Sequence, residues 1–176
     1  MKTAMVTGAA GFVGRALVDR LSQSAVLGRA LVHRAASSGA FPSGVTTFIG
    51  DVRDTELVRR CAEGADVVFH FAARVPKTGS ERDEAEVFDV SVNGTRVVLD
   101  DALAMRSESF VYLSSLSVYG RLPSSVCDED APTAPVSTYG RAKATAERMV
   151  VDAGHHSSLR ITCLRPVPPQ NPVHAD

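Results

Sequence analysis

The sequence predicts an α/β fold, a doubly wound parallel sheet with helices on both faces. Three observations lead there. Short apolar runs alternate along the chain with longer stretches whose apolar residues recur at helical spacing. The runs are almost continuously apolar, as strands buried on both faces are. A glycine-rich turn joins the first run to the first helical stretch. At 176 residues the chain suits one domain, large enough to bury a core without disulfides.

The elements follow in order. Ala4 to Thr7 reads as the first strand, and Phe12 to Gln23 as the helix opened by the glycines. Ala30 to His33 and Thr47 to Gly50 read as strands two and three, followed by a helix over Glu56 to Glu63. Val67 to Phe71 is the fourth strand, a long helical stretch lies near Glu84 to Met105, and Phe110 to Leu113 is the fifth strand. A helix over Thr138 to Ala153 precedes the sixth strand, Ile161 to Leu164. Strand, helix, strand in repetition implies right-handed crossovers, with ligands bound beyond the carboxyl ends of the strands. The candidate chemical residues cluster at those ends. The domain is expected over 1–165. Pro166, Pro168, Pro169 and Pro172 make 166–176 a Pro-rich irregular tail.

Composition excludes several classes. A net charge of −1 leaves no basic surplus for nucleic acid. Cys61, Cys127 and Cys163 are odd in number and widely spaced, which draws neither a disulfide framework nor a metal site; a reducing cytoplasm is the expected compartment. Gly8, Gly11 and Gly14 interrupt what would otherwise pass for a secretory core, and no run approaches the roughly 20 apolar residues that span a bilayer. No membrane partner is expected.

Two patterns carry chemistry. Thr7-Gly8-Ala9-Ala10-Gly11-Phe12-Val13-Gly14 follows a strand and opens a helix, where backbone amides and the helix dipole favour a pyrophosphate. The glycines are three apart rather than in the Gly-x-Gly-x-x-Gly spacing. Tyr139 and Lys143, four apart on a helix, share a face. A Lys143 ammonium beneath the Tyr139 phenol would favour the phenolate and make tyrosine a proton-transfer group near neutral pH. A half-buried Tyr and a solvated Lys on a surface helix satisfy the same spacing. Asp51 suits an N-cap or Asx turn, and His70 at a strand end suits a structural role.

With these motifs the sequence resembles the extended short-chain dehydrogenase/reductase family, its NAD-dependent epimerase/dehydratase group in particular, up to Pro166. Gly8, Gly11, Phe12, Val13 and Gly14 are similar to the family's cofactor loop. Asp51-Val52 resembles its adenine-contacting pair, and His70-Phe71-Ala72-Ala73 its fourth-strand motif beside the nicotinamide ribose. Ser114-Ser115-Leu116-Ser117-Val118-Tyr119-Gly120 resembles the Ser-Ser-x-x-Val-Tyr-Gly segment, with Ser115 at the catalytic serine position. The resemblance implies a Rossmann-type domain in which Tyr139 exchanges a proton with a substrate hydroxyl as hydride passes to or from the nicotinamide. Ser115 positions that hydroxyl, and Lys143 holds the ribose. It also implies a nucleotide-sugar substrate, with ketone reduction as an alternative. A homodimer through the helices containing Val97 to Met105 and Thr138 to Met149 is implied as well.

Three departures stand out. Ser91-Val92-Asn93-Gly94-Thr95 puts Ser91 where the family has asparagine in a cofactor-side segment. After the second strand, His33-Arg34 stands where an acidic residue selects NAD; Arg34 suits a 2′-phosphate, so the lean is to NADP, although stacking on adenine is also open. Finally, the family continues well past its Arg-Pro, here Arg165-Pro166, to build a substrate lobe. The expectation is a domain fragment or frameshifted product lacking that lobe, either an NAD(P)-dependent oxidoreductase or epimerase of the nucleotide-sugar type or a cofactor-binding module without turnover. Arg74 and Lys77 suit an anionic substrate or a solvated loop. Missing later strands would leave apolar surface open and reduce stability or promote association.

Overall fold

The structure, a computed structural model, describes residues 2–24, 26–34, 41–121 and 127–167. Six parallel strands form one sheet: β1 (Thr3–Thr7), β2 (Leu27–Val32), β3 (Val45–Ile49), β4 (Val67–His70), β5 (Ser109–Leu113) and β6 (Arg160–Leu164). Their order is β3-β2-β1-β4-β5-β6. The chain winds outward in one direction from β1 and, after β3, in the other from β4, so the crevice between β1 and β4 is where a ligand fits. Thr7 pairs in register with His70 at that crevice.

Helices α1 (Phe12–Ser22), α2 (Thr55–Ala62), α3 (Glu81–Phe88), α4 (Gly94–Ala104) and α5 (Thr138–His155) connect the strands. Alternate strand residues divide the core, as the pleat requires. Met5, Leu31, Val68, Phe110 and Tyr112 face Val58, Val98, Leu99, Ala146 and Val150 of α2, α4 and α5. Val6, Ala30 and Val32 face Val18 of α1 on the other side.

The single long helix expected near Glu84 to Met105 begins earlier and is interrupted. Ser80 caps α3 by accepting from Asp83 N–H, and a π-helical turn over Asp89–Asn93 separates α3 from α4. Backbone angles stay helical through Asp89 and Gly94, so the axis continues while the phase shifts.

The sheet is covered unevenly. Ile161 and Cys163 pack toward α5, whereas on the opposite face of β5 and β6 Val111 and Leu113 are half-buried and Leu164 is 43% exposed. Of the irregular tail expected over 166–176, residues 168–176 lie outside the described residues. No helix among the described residues is long and apolar enough to cross a membrane.

Candidate active site

Above the β1–β4 crevice, the glycine turn is shaped by contact. Gly8, at φ +66°, lies against Phe71 and Ala72 at the end of β4, where a Cβ would come 2.7 Å from the Ala72 nitrogen. A Cβ on Gly14 would stand 2.3 Å from the Gly8 carbonyl oxygen. Gly11 is the N-cap of α1 but offers no side-chain acceptor, so the first amides of the helix point outward unpaired by a cap. Phe12, 80% exposed, and Val13 flank them. A backbone this close, with free amides at the end of an eleven-residue helix, fits a pyrophosphate.

A buried hydrogen-bond chain ties this turn to the rest of the site. Thr7 Oγ1 accepts the amides of Phe71 and Ala72, both at 3.1 Å. Its own proton therefore goes to His70 Nδ1, 2.7 Å away. His70 Nε2–H then donates to Thr95 Oγ1 at 2.9 Å, and the Thr95 hydroxyl donates to the Ser91 carbonyl at 2.5 Å. Every link has one consistent direction. Burial pushes His70 down to about 3, so it stays neutral, in the structural role its position suggested. Tyr112, stacked on His70, turns its hydroxyl toward Thr95. It has no hydrogen-bond partner there. Ser91 itself is 1% exposed within the π-helical turn, and its hydroxyl is also without a partner.

The end of β3 is built on charge. Asp51 forms the Asx turn, accepting Arg53 N–H at 2.9 Å, while Asp54 takes the cap of α2. The Arg53 guanidinium grips both Asp51 oxygens at 2.9 and 2.5 Å and reaches Asp89 of the π-helical turn at 2.5 Å. Arg53 thereby holds the Asp51 carboxyl down at about 2. Val52 is buried against Gly94. Arg34 is exposed beyond β2, and Ala73 beyond β4. Neither carries a contact that assigns it to a ligand.

The proton-transfer candidates meet at the ends of β5 and α5. Ser115 extends from β5, accepts Ser117 N–H at 3.1 Å and caps a short 3₁₀ turn, Leu116–Val118. The same hydroxyl donates to Ser117 Oγ at 3.2 Å, and the Tyr139 phenol lies near enough for it to favour the phenolate. Gly140 makes that meeting possible, since a Cβ there would lie 2.5 Å from the Ser117 carbonyl oxygen and hold α5 away. Burial raises the Tyr139 phenol, opposed by the nearby Ser115 hydroxyl.

Lys143 is placed differently from the sequence expectation. Its ammonium is buried at 1% exposure and lies 4.3 Å from the Tyr112 ring centroid, with no part in shifting Tyr139. Burial pushes it down to about 7, and the Glu147 carboxylate one turn later opposes the fall. The lowered tyrosine that the helical spacing suggested is therefore absent: desolvation outweighs the Ser115 hydroxyl and raises Tyr139, while the same burial lowers the lysine.

Sequence reasoning missed Glu147, Arg53, Asp83 and Gly140. Glu147 repeats the four-residue step from Tyr139 and Lys143, a signal that was there to be read. Asp83 had none. It is 5% exposed and takes Arg74 at 2.9 Å together with the amides of Lys77 and Thr78 at 2.6 and 2.7 Å. Arg74 bridges Asp83 and Glu86, which settles it as a loop clamp rather than a free cation.

Glycine turn, Asx aspartate, serine at the end of β5 and Tyr-x-x-x-Lys on α5 share one edge of one sheet. Residues 4–172 match the NAD-dependent epimerase/dehydratase family. The chain belongs to that family. A UDP-glucose 4-epimerase of Azospirillum brasilense is 29% identical over 92% of this chain and 47% of its own length. A 2-alkyl-3-oxoalkanoate reductase of Shewanella oneidensis is 33% identical over 93% and 43%. Among solved structures, a short-chain dehydrogenase/reductase superfamily protein of Agrobacterium tumefaciens with bound NAD superposes with a TM-score of 0.84 at 30% identity, over 93% of this chain and 48% of its own. The chain thus spans about half the length of the epimerase/dehydratase relatives it matches. Among the described residues no cluster suits a metal ion.

Proposed function

We propose that residues 1–165 form the cofactor-binding and proton-transfer half of an NAD(P)-dependent oxidoreductase or epimerase acting on a nucleotide-activated sugar. The observation that carries this reading is the placement of Ser115 at the end of β5 and of Tyr139 and Lys143, one turn apart, on α5, all at the carboxyl edge of the sheet. Gly8, Gly11, Phe12, Val13 and Gly14 hold the pyrophosphate, Asp51 and Val52 the adenine, and Phe71, Ala72, Ala73 and Ser91 the nicotinamide side. The bound dinucleotide supplies hydride transfer. Ser115 orients a substrate hydroxyl toward Tyr139, which takes or returns its proton. Lys143 donates to the ribose hydroxyls.

Exposed Arg34 in place of an acidic residue favours NADP, where the guanidinium would pair with the 2′-phosphate. Two further readings have specific support. One is a cofactor-binding module without turnover, supported by a glycine turn and an Asp51–Arg53 cluster that need no substrate to be in place. The likeness to an oxoalkanoate reductase favours ketone reduction. A homodimer through α4 and α5 and a cytoplasmic location complete the proposal.

The test is a fluorescence titration with NADH and NADPH followed by turnover assays on UDP-sugars and simple ketones. Binding of one cofactor with sugar turnover is expected. Binding without any turnover would favour the module, ketone turnover alone the reductase, and failure to bind either cofactor would defeat all three.

A further inference from the structure

We infer that Glu147 is a positioning residue for the site, one carboxylate that locks the end of β5 under Ser115 and stands one helical turn from the buried Lys143. The inference rests on the cofactor role proposed for Lys143.

The geometry is a hub. Glu147, buried at 7% exposure, lies one helical turn beyond Lys143. One carboxylate oxygen accepts the Ser114 hydroxyl, and Ser114 immediately precedes Ser115. The other accepts Arg165 Nη2 at 2.5 Å and Nε at 3.0 Å. Arg165 is itself fixed, donating to the Tyr119 hydroxyl at 2.6 Å and the Glu129 carbonyl at 2.9 Å, with its guanidinium 4.9 Å from the Tyr119 ring centroid. Ser114 N–H also donates to the Leu164 carbonyl at 2.7 Å, so β5 and β6 are pinned together beside the same carboxylate.

Simple ion pairing with Arg165 does not require this arrangement. Satisfying a single arginine needs no serine hydroxyl from the neighbouring strand, and no placement one turn from a buried cation. The groups around Lys143 leave Glu147 as the anion that acts on it. α5 also presents Tyr139, β4 presents neutral His70, β5 the Tyr112 ring and β6 the Cys163 thiol, which burial pushes up to about 11. The carboxylates of α3 and the π-helical turn are engaged elsewhere, Asp83 with Arg74 and the 77–79 amides and Asp89 with Arg53 and Asn93. Removing the Glu147 charge would therefore make the ammonium easier to deprotonate and weaken its charge-assisted hydrogen bonds to a ribose.

The experiment measures NADH affinity by fluorescence across pH 5.5 to 9 for the wild type, Lys143→Met, Glu147→Gln and the Glu147→Gln/Arg165→Gln pair. The wild type is expected to lose affinity as pH rises through a midpoint that Lys143→Met abolishes. Glu147→Gln moves that midpoint down by about one pH unit, so that affinity above it falls about tenfold. A purely structural glutamate would instead weaken binding equally at every pH. A midpoint unchanged in Glu147→Gln overturns the inference while leaving the proposed function standing. Should Glu147→Gln not fold because Arg165 is left uncompensated, the double variant carries the same test with the pair neutralised. A double variant that also fails to fold would assign the pair to stability and overturn the inference. A wild type that binds no NADH at any pH defeats the proposed function and this inference with it.

Discussion

Ser91 and Tyr139 show how little atomic change separates packing from chemistry. Tyr139→Phe removes one oxygen and, with it, the proposed proton donor. Turnover is expected to fall about 10²- to 10⁴-fold, with a smaller loss of NADH affinity than Lys143→Met produces. Comparable losses in both would mean that Tyr139 only packs. Ser91 carries a buried hydroxyl with no partner, a group that costs free energy where it stands. Ser91→Ala is expected to stabilise the fold by about 0.5–1 kcal/mol in urea melts followed by circular dichroism. A destabilised variant would reveal a hydrogen bond to that hydroxyl. Both side chains were legible in the sequence as positions. Their surroundings were not, because burial and partner geometry depend on strands far away in the chain: the direction of the Tyr139 shift is set by desolvation, and the lysine turns to a Tyr112 ring that lies 31 residues earlier.

The elements were read well where periodicity decides and poorly where packing does. All six strands and three of the five helices stand within a few residues of their expected bounds, and α3 and α4 share the one long stretch expected between them, since continuous apolar runs and helical spacing are local signals. The π-helical turn left no local signature. It exists because α3 must turn Asp83 and Val87 inward while α4 turns Val98, Leu99 and Ala102 inward. At this scale the threonine–histidine chain is the element to probe. Thr95→Val keeps the shape but leaves His70 Nε2–H unpaired, so a loss of about 1–3 kcal/mol is expected in denaturant unfolding. Gly140→Ala tests the contact between α5 and the 3₁₀ turn: the added methyl pushes against the Ser117 carbonyl and separates Ser115 from Tyr139. Turnover should fall more than NADH affinity does, and equal loss of both would place the damage in the cofactor site.

For the whole molecule, proton linkage sets the shape of the stability curve. His70 is neutral when folded, with a value near 3, and close to 6.5 when unfolded. The unfolded chain binds the extra proton between those values, so this contribution is complete above about pH 6.5 and is lost as pH falls toward 3. Asp51, held at about 2, adds a second loss below its ordinary value of 3.8. Lys143 acts in the alkaline range: with a folded value near 7 against 10.5 unfolded, stability rises as pH climbs through that interval. The urea midpoint is therefore expected to fall steadily from pH 7 to 4, and His70→Gln to flatten that slope; an unchanged slope would refute the assignment. The fold class was visible in the sequence because the alternation of elements is global, whereas the uneven cover over β5 and β6 depends on which faces the helices take.

The π-helical turn amounts to one residue more than a regular helix from Glu81 to Ala104 would hold. Losing a single codon between Asp89 and Asn93 would rewind it into an ordinary helix and rotate one half against the other by about 100°. Asp83 would swing away from the loop it clamps, or Thr95 away from His70. The chain should thus tolerate substitutions along this helix far better than any change in its length, and a deletion scan would find its sharpest boundary there.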